Sequence, residues 1–103
     1  PVDRAAEALQ LLDKALQLQP KTAYLYYNKG CVLGIQGRLE EAKEAFAKAL
    51  SLDDRMAEAY YNRGVIALLD GRTEQAIPDL SRAGELGFYR AYNLIKQAKK
   101  TLK

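Results

Sequence analysis

Histidine and tryptophan are absent from this 103-residue chain, and cysteine occurs once, as Cys31. Without His the commonest general base and metal ligand is missing, and one Cys among scattered carboxylates offers neither a zinc-ligand spacing nor an internal disulfide. The lone thiol is compatible with the reducing cytoplasm, although nothing in the chain fixes a localisation. No apolar run approaches the ~20 residues of a membrane span, and no charged-then-apolar leader follows Pro1. Neither a GxxxxGK[ST] nor a GxGxxG phosphate loop occurs, and no strand pattern exists to carry one. These absences exclude the usual routes to chemistry, so the chain is read as non-enzymatic, with no catalytic residue, metal site or cofactor.

What is present is repetition. Tyr26-Tyr27-Asn28-Lys29-Gly30 returns as Tyr60-Tyr61-Asn62-Arg63-Gly64, 34 residues later. The same step relates Arg4, Arg38 and Arg72, then Ala8, Ala42 and Ala76, then Ala15, Ala49 and Ala83, and finally Leu18, Leu52 and Leu86. At 49% hydrophobic residues the chain can bury apolar surface, but a repeat buries it on its neighbours rather than in one central core. The net charge of +3 is unevenly spread, because Arg90 to Lys103 holds five basic residues and no acidic one. Such a run is read as a solubilising end rather than a nucleic-acid or membrane contact, so neither partner is assigned.

A 34-residue period, an aromatic ahead of a Gly, a second Gly closing a turn and small Ala residues beyond it resemble the tetratricopeptide repeat, a helix-turn-helix unit. The resemblance covers the chain from end to end. It implies an all-α, right-handed solenoid of about six helices in one domain, ending in a C-terminal capping helix. Ala83-Gly84-Glu85-Leu86-Gly87 also resembles the related Sel1-like repeats, but the 34-residue step favours the first family.

In that register residues 1–20 match the second helix of a repeat whose first helix would precede Pro1, as expected of the C-terminal part of a longer array. Residues 21–54 and 55–87 make two full repeats, and 88–103 the cap. Helices are expected near 2–18, 22–36, 38–51, 55–70, 73–85 and 88–101. Apolar spacing and Asp3 as N-cap support the first, Pro20 ends it, and Asp53-Asp54 is expected to cap the fourth. Pro78 should bend the start of the fifth helix slightly. Gly37 and Gly71 read as left-handed C-caps. Gly30 and Gly64 cost helix propensity, which the resemblance explains as close approach to the helices of Ala42 and Ala76, with Tyr26 and Tyr60 filling the neighbouring hole. The last segment, lacking such a Gly, is expected to accept no close partner.

The resemblance implies a protein-interaction module whose first helices line a concave groove for a segment of another protein. Carried onto this chain, the groove positions are Tyr24, Tyr27, Asn28, Cys31 and Ile35, then Glu58, Tyr61, Asn62, Val65 and Leu69, extended by Tyr92, Asn93 and Lys96. Asn28 and Asn62 can hydrogen-bond a ligand backbone whatever its side chains; simple solvation is the alternative. Tyr27 and Tyr61 offer flat amphipathic area, with packing between repeats as the alternative. A clamp for chaperone C-terminal tails matches only at Asn28, since Glu58 and Asn62 stand where Lys and Arg are wanted. Cys31 reads as a packing residue. A structural end-piece, or a weak homodimer through an apolar stripe of Leu9, Leu12 and Leu16 on the N-terminal helix, is the competing expectation, with an inward tilt of that helix onto the Tyr24 helix as the other way to cover the stripe.

Overall fold

The computed structural model describes residues 3–102. The described residues contain six α-helices and no strand: α1 (Arg4–Leu18), α2 (Ala23–Ile35), α3 (Leu39–Leu52), α4 (Ala57–Leu69), α5 (Thr73–Glu85) and α6 (Ala91–Thr101). They fall into two compact units, one up to Asp54 and one from Arg55 onward. Val2 and Lys103, placed at the expected helix start and in the polar cap, lie outside the described residues, as does Pro1.

In the first unit Asp3 caps α1, accepting a hydrogen bond from the Ala6 amide at 3.1 Å, which satisfies one of the free donors of the first turn. Helix α1 packs on α2, and the Lys29 ammonium reaches back across that contact to Asp13 at 2.8 Å. Of the two expected ways to cover the leucine stripe, the structure has the helix lying on α2, with Leu16 buried and Leu9 and Leu12 half-buried rather than open. The leucines left in solvent are Leu11 and Leu18, at 62% and 84% exposure.

Helices α2 and α3 form a hairpin closed at Gly37, whose φ of +76° only Gly adopts without strain. The Arg38 amide bonds the Leu33 carbonyl at 2.9 Å and the Gly37 amide bonds the Gly34 carbonyl at 3.0 Å, which is the Schellman arrangement. Arg38 then forks onto Glu41, Nε to Oε1 at 2.9 Å and Nη2 to Oε2 at 2.6 Å, an interaction that raises the guanidinium pKa and lowers the carboxyl pKa. Inside the hairpin a Cβ on Gly30 would lie 2.7 to 2.9 Å from the ring of Phe46. The close crossing with the Ala42 helix is therefore real. The side chain seated over the glycine is Phe46, because a residue one helical turn beyond Ala42 faces the same seam.

The second unit repeats this plan. Gly71 (φ +74°) closes the α4–α5 hairpin with the same pair of amide-to-carbonyl bonds, from Arg72 to Ala67 and from Gly71 to Leu68. A Cβ on Gly64 would meet Leu80 at 2.8 Å and the Ala76 carbonyl at 3.3 Å, so again the partner helix fills the space over the glycine. Helix α5 runs unbroken through Pro78. Helix α4 starts at Ala57 with Met56, which is buried, at the N-cap. Asp53 ends α3 instead of capping α4, another correction, since a buried Met56 fixes where the chain must enter the helix.

A third Schellman turn ends α5, at Gly87 (φ +104°), with Phe88 bonding Ala83 at 2.9 Å. This turn holds residues 88–90 out of the helix and delays α6 to Ala91. The expectation that the cap accepts no close partner also fails. The glycine lies on the other helix, where a Cβ on Gly84 would fall 2.5 Å from the Tyr92 ring. The core of this unit is Ala67, Ala76, Leu80, Ala83 and Ala91, with Tyr60, Tyr61, Leu68, Phe88, Leu94 and Ile95 packed around it.

Candidate functional site

Helix starts at Ala23, Ala57 and Ala91 keep the 34-residue step. Counting from them, Lys96 stands at the place of Asn28 and Asn62, and Ala98 at the place of Gly30 and Gly64. The Tyr92-Asn93 echo is three residues out of that register, slightly less than one helical turn.

In the first unit the groove candidates lie on α2. Asn28 and Tyr24 are exposed, while Tyr27 and Cys31 are half-buried. Tyr24 meets Tyr27 edge to face with ring centroids 5.6 Å apart, and Tyr27 rests on Phe46 at 5.9 Å. Tyr27 is thus both a surface residue and a support for the ring that fills the Gly30 seam. Burial raises the Cys31 thiol pKa, partly offset by a hydrogen bond with Tyr27, so the sulfur is a poor nucleophile. Ile35, at the end of the same helix, is 80% exposed.

In the second unit Tyr61 packs on Phe88, centroids 4.6 Å apart, and the Arg90 guanidinium lies over both rings at 5.2 and 5.6 Å. Glu58, Asn62 and Val65 are half-buried, and Glu58 and Asn62 each interact within the chain. Leu69, in register with Ile35, is 68% exposed. Asn93 and Lys96 are exposed on α6, and Tyr92, leaning on Gly84, is 47% exposed. Sequence reasoning missed Phe88, Tyr89 and Arg90. Two adjacent aromatics followed by Arg were the available signal, masked by assigning them to a helix.

Among the described residues no group of three or more His, Cys, Asp or Glu could hold a metal ion. No described helix is long and apolar enough to cross a membrane.

The tetratricopeptide-repeat family profile matches residues 27–87, so the chain belongs to that family. Among solved structures it is similar to MamA, at 26% identity and a TM-score of 0.89, covering 94% of this chain but 58% of the MamA chain. It is also similar to the first tetratricopeptide domain of Spaghetti (RPAP3) bound to the HSP90 peptide SRMEEVD, at 22% identity and a TM-score of 0.91, covering 96% of this chain and 80% of that one. The Yersinia enterocolitica secretion chaperone SycD, in complex with a peptide of the translocator YopD, gives 14% identity and a TM-score of 0.91, with 97% and 83% covered. No curated protein sequence matches the chain.

Proposed function

We propose that the chain is a protein-interaction module that binds a short segment of a partner through the exposed faces of its first helices, with no catalysis of its own. The observation that carries this reading is that each unit, taken by itself, keeps large apolar or polar residues open on its first helices, with Ile35 and Leu69 at matching repeat positions. Asn28, Tyr24 and Ile35 on α2, Leu69 on α4, and Asn93 with Lys96 on α6 are all open to solvent. Large apolar and amide groups on rigid helices are what a segment-binding surface needs, because they cost little ordering on association. Structures of similar fold that hold HSP90 and YopD peptides support it. The partner-contacting set is Tyr24, Tyr27, Asn28 and Cys31 on α2, Glu58, Tyr61, Asn62 and Val65 on α4, and Tyr92, Asn93 and Lys96 on α6. One domain over residues 1–103, with repeats at 21–54 and 55–87, is the organisation we attach to it.

The test is capture of the native partner by the wild-type chain and by Tyr24→Ala with Asn28→Ala. Loss of capture at an unchanged melting temperature is expected; retained capture sinks the assignment of α2. A second reading, self-association through α1, rests on Leu11 and Leu18, which project one above the other seven residues apart. Sedimentation at rising concentration checks it: a weight-average mass that stays at one chain rejects it.

A further inference from the structure

Beside the glycine seam the two hairpins differ. In the second, the Tyr60 ring carries two guanidinium groups, those of Arg63 and Arg82, each 5.9 Å from the ring centroid, and Asp79 holds Arg63 in place. One 34-residue step earlier stand Tyr26, Lys29, Lys48 and Ala45. There the Tyr26 ring carries one cation, the Lys48 ammonium, again at 5.9 Å. With Ala45 at the place of Asp79 no carboxylate holds Lys29 inside its hairpin, and it reaches out to Asp13.

The consequence is a solvent-open cavity of about 220 Å³ between α2 and α3. Leu33 and Ala45, both buried, lie at its base, and the half-buried Tyr26 ring forms a wall. Glu41 and Glu44 line it with Lys48, at places where the second hairpin has Gln75 and Pro78. Glu41 is engaged by Arg38, whereas the exposed Glu44 has no ion pair or hydrogen bond among the described residues. The first hairpin thus sets an aromatic face, an apolar base and a carboxylate around a space that the second fills with its own arginine.

We propose that this cavity receives an arginine side chain of a partner protein, its guanidinium against the Tyr26 ring and the Glu44 carboxylate and its stem over Leu33 and Ala45. Arginine is indicated over lysine by the occupant of the equivalent space, and because a flat guanidinium stacks and forks onto a carboxylate at once, which a compact ammonium does not. An anion would face two carboxylates against the Lys48 ammonium, since Lys29 is already paired. At about 100° per residue Tyr26, Lys29 and Leu33 lie on the side of α2 opposite Tyr24, Tyr27, Asn28 and Cys31. The cavity is therefore separate from the segment-binding face, and a short segment held on that face does not reach it.

The experiment is an amide chemical-shift titration of the labelled chain with the end-capped peptide Gly-Ser-Arg-Ser-Gly, beside the same peptide carrying lysine or citrulline, the uncharged isostere of arginine. The arginine peptide should bind in the millimolar range, shifting Tyr26, Leu33, Glu44 and Ala45 and leaving Tyr60 and Asp79 unmoved. The lysine peptide should bind several-fold and the citrulline peptide about tenfold more weakly. Glu44→Gln should cost about fivefold. The decisive variant is Lys29→Arg with Ala45→Asp, which gives the first hairpin the wiring of the second and should abolish the shifts. Should it not fold, Glu44→Gln keeps the test open, because that side chain is in solvent. Absence of shifts in the wild type, undiminished binding in either folded variant, equal binding of the lysine or citrulline peptide, or equal shifts around Tyr60 overturns the proposal. Each of these outcomes leaves the segment-binding face standing, since that is tested by the Tyr24 and Asn28 variant.

Discussion

The two hairpins, α2–α3 and α4–α5, share a backbone plan but not a wiring plan. Both bring a helical glycine against a large apolar side chain sixteen residues on, Phe46 over Gly30 and Leu80 over Gly64, and both end the first helix with the same glycine-centred turn. Their polar links diverge. Lys29 reaches backwards, out of its hairpin, to Asp13 through one exposed contact. Arg63, at the same repeat position, stays inside its hairpin and grips Asp79 with two bonds, Nε to Oδ2 at 2.8 Å and Nη2 to Oδ1 at 2.7 Å. Shape at the helix crossing is therefore what the repeat preserves, while charge pairing follows whatever neighbour is available.

The largest effect should come from filling the seams. Gly30→Leu and Gly64→Leu are each expected to destabilise by about 1–3 kcal/mol through overpacking, measured by denaturant unfolding. Phe46 and Leu80 are fully buried and cannot swing away. Gly84→Ala sharpens the point: Tyr92 is half exposed and can move outward, so its tighter clash should be nearly neutral against the ~1 kcal/mol gain in helix propensity. If Gly84→Ala proved as damaging as Gly64→Leu, the seam argument would fail.

Next come the turns, where the hairpins should behave alike. Gly37→Ala and Gly71→Ala put a side chain at positive φ and should each cost about 1 kcal/mol by thermal unfolding, despite open space around both sites. The ion pairs should separate the hairpins. Arg63→Ala is expected to cost about 1 kcal/mol, against about 0.2–0.5 kcal/mol for Lys29→Ala, since the Arg63 pair is two-pronged and partly buried. Equal costs would remove the distinction. The smallest effect is kinetic: with its thiol pKa raised by burial, Cys31 ionises less readily folded than unfolded, so iodoacetamide near pH ~8 should alkylate the native chain more slowly than the urea-unfolded one.

The 34-residue step made the helix order, the Gly37 and Gly71 turns and the crossings at Gly30 and Gly64 readable, because each depends on residues at a fixed spacing within one hairpin. Which side chain sits over each glycine, Phe46 or Leu80, was not readable, because only three-dimensional direction decides it. Gly84 was hidden for a related reason, since its partner Tyr92 lies on the next helix. The start of α4 was misread because Asp53-Asp54 has good capping chemistry that the burial of Met56 overrides. At the candidate site, repeat position did not decide exposure, since Asn28 and Tyr24 are open while their repeat equivalents Asn62 and Glu58 are half-buried. Nor did it give the stacking of Tyr61 against Phe88 and Arg90, since that depends on how the chain leaves α5.

Amide chemical-shift mapping of the labelled chain with its captured partner segment tests the account most directly. Perturbations clustered on the exposed faces of α2, α4 and α6, around Asn28, Leu69 and Lys96, with α3 and α5 quiet, are the predicted result. Perturbations centred on α3 and α5, or on Leu11 and Leu18 of α1, would contradict it.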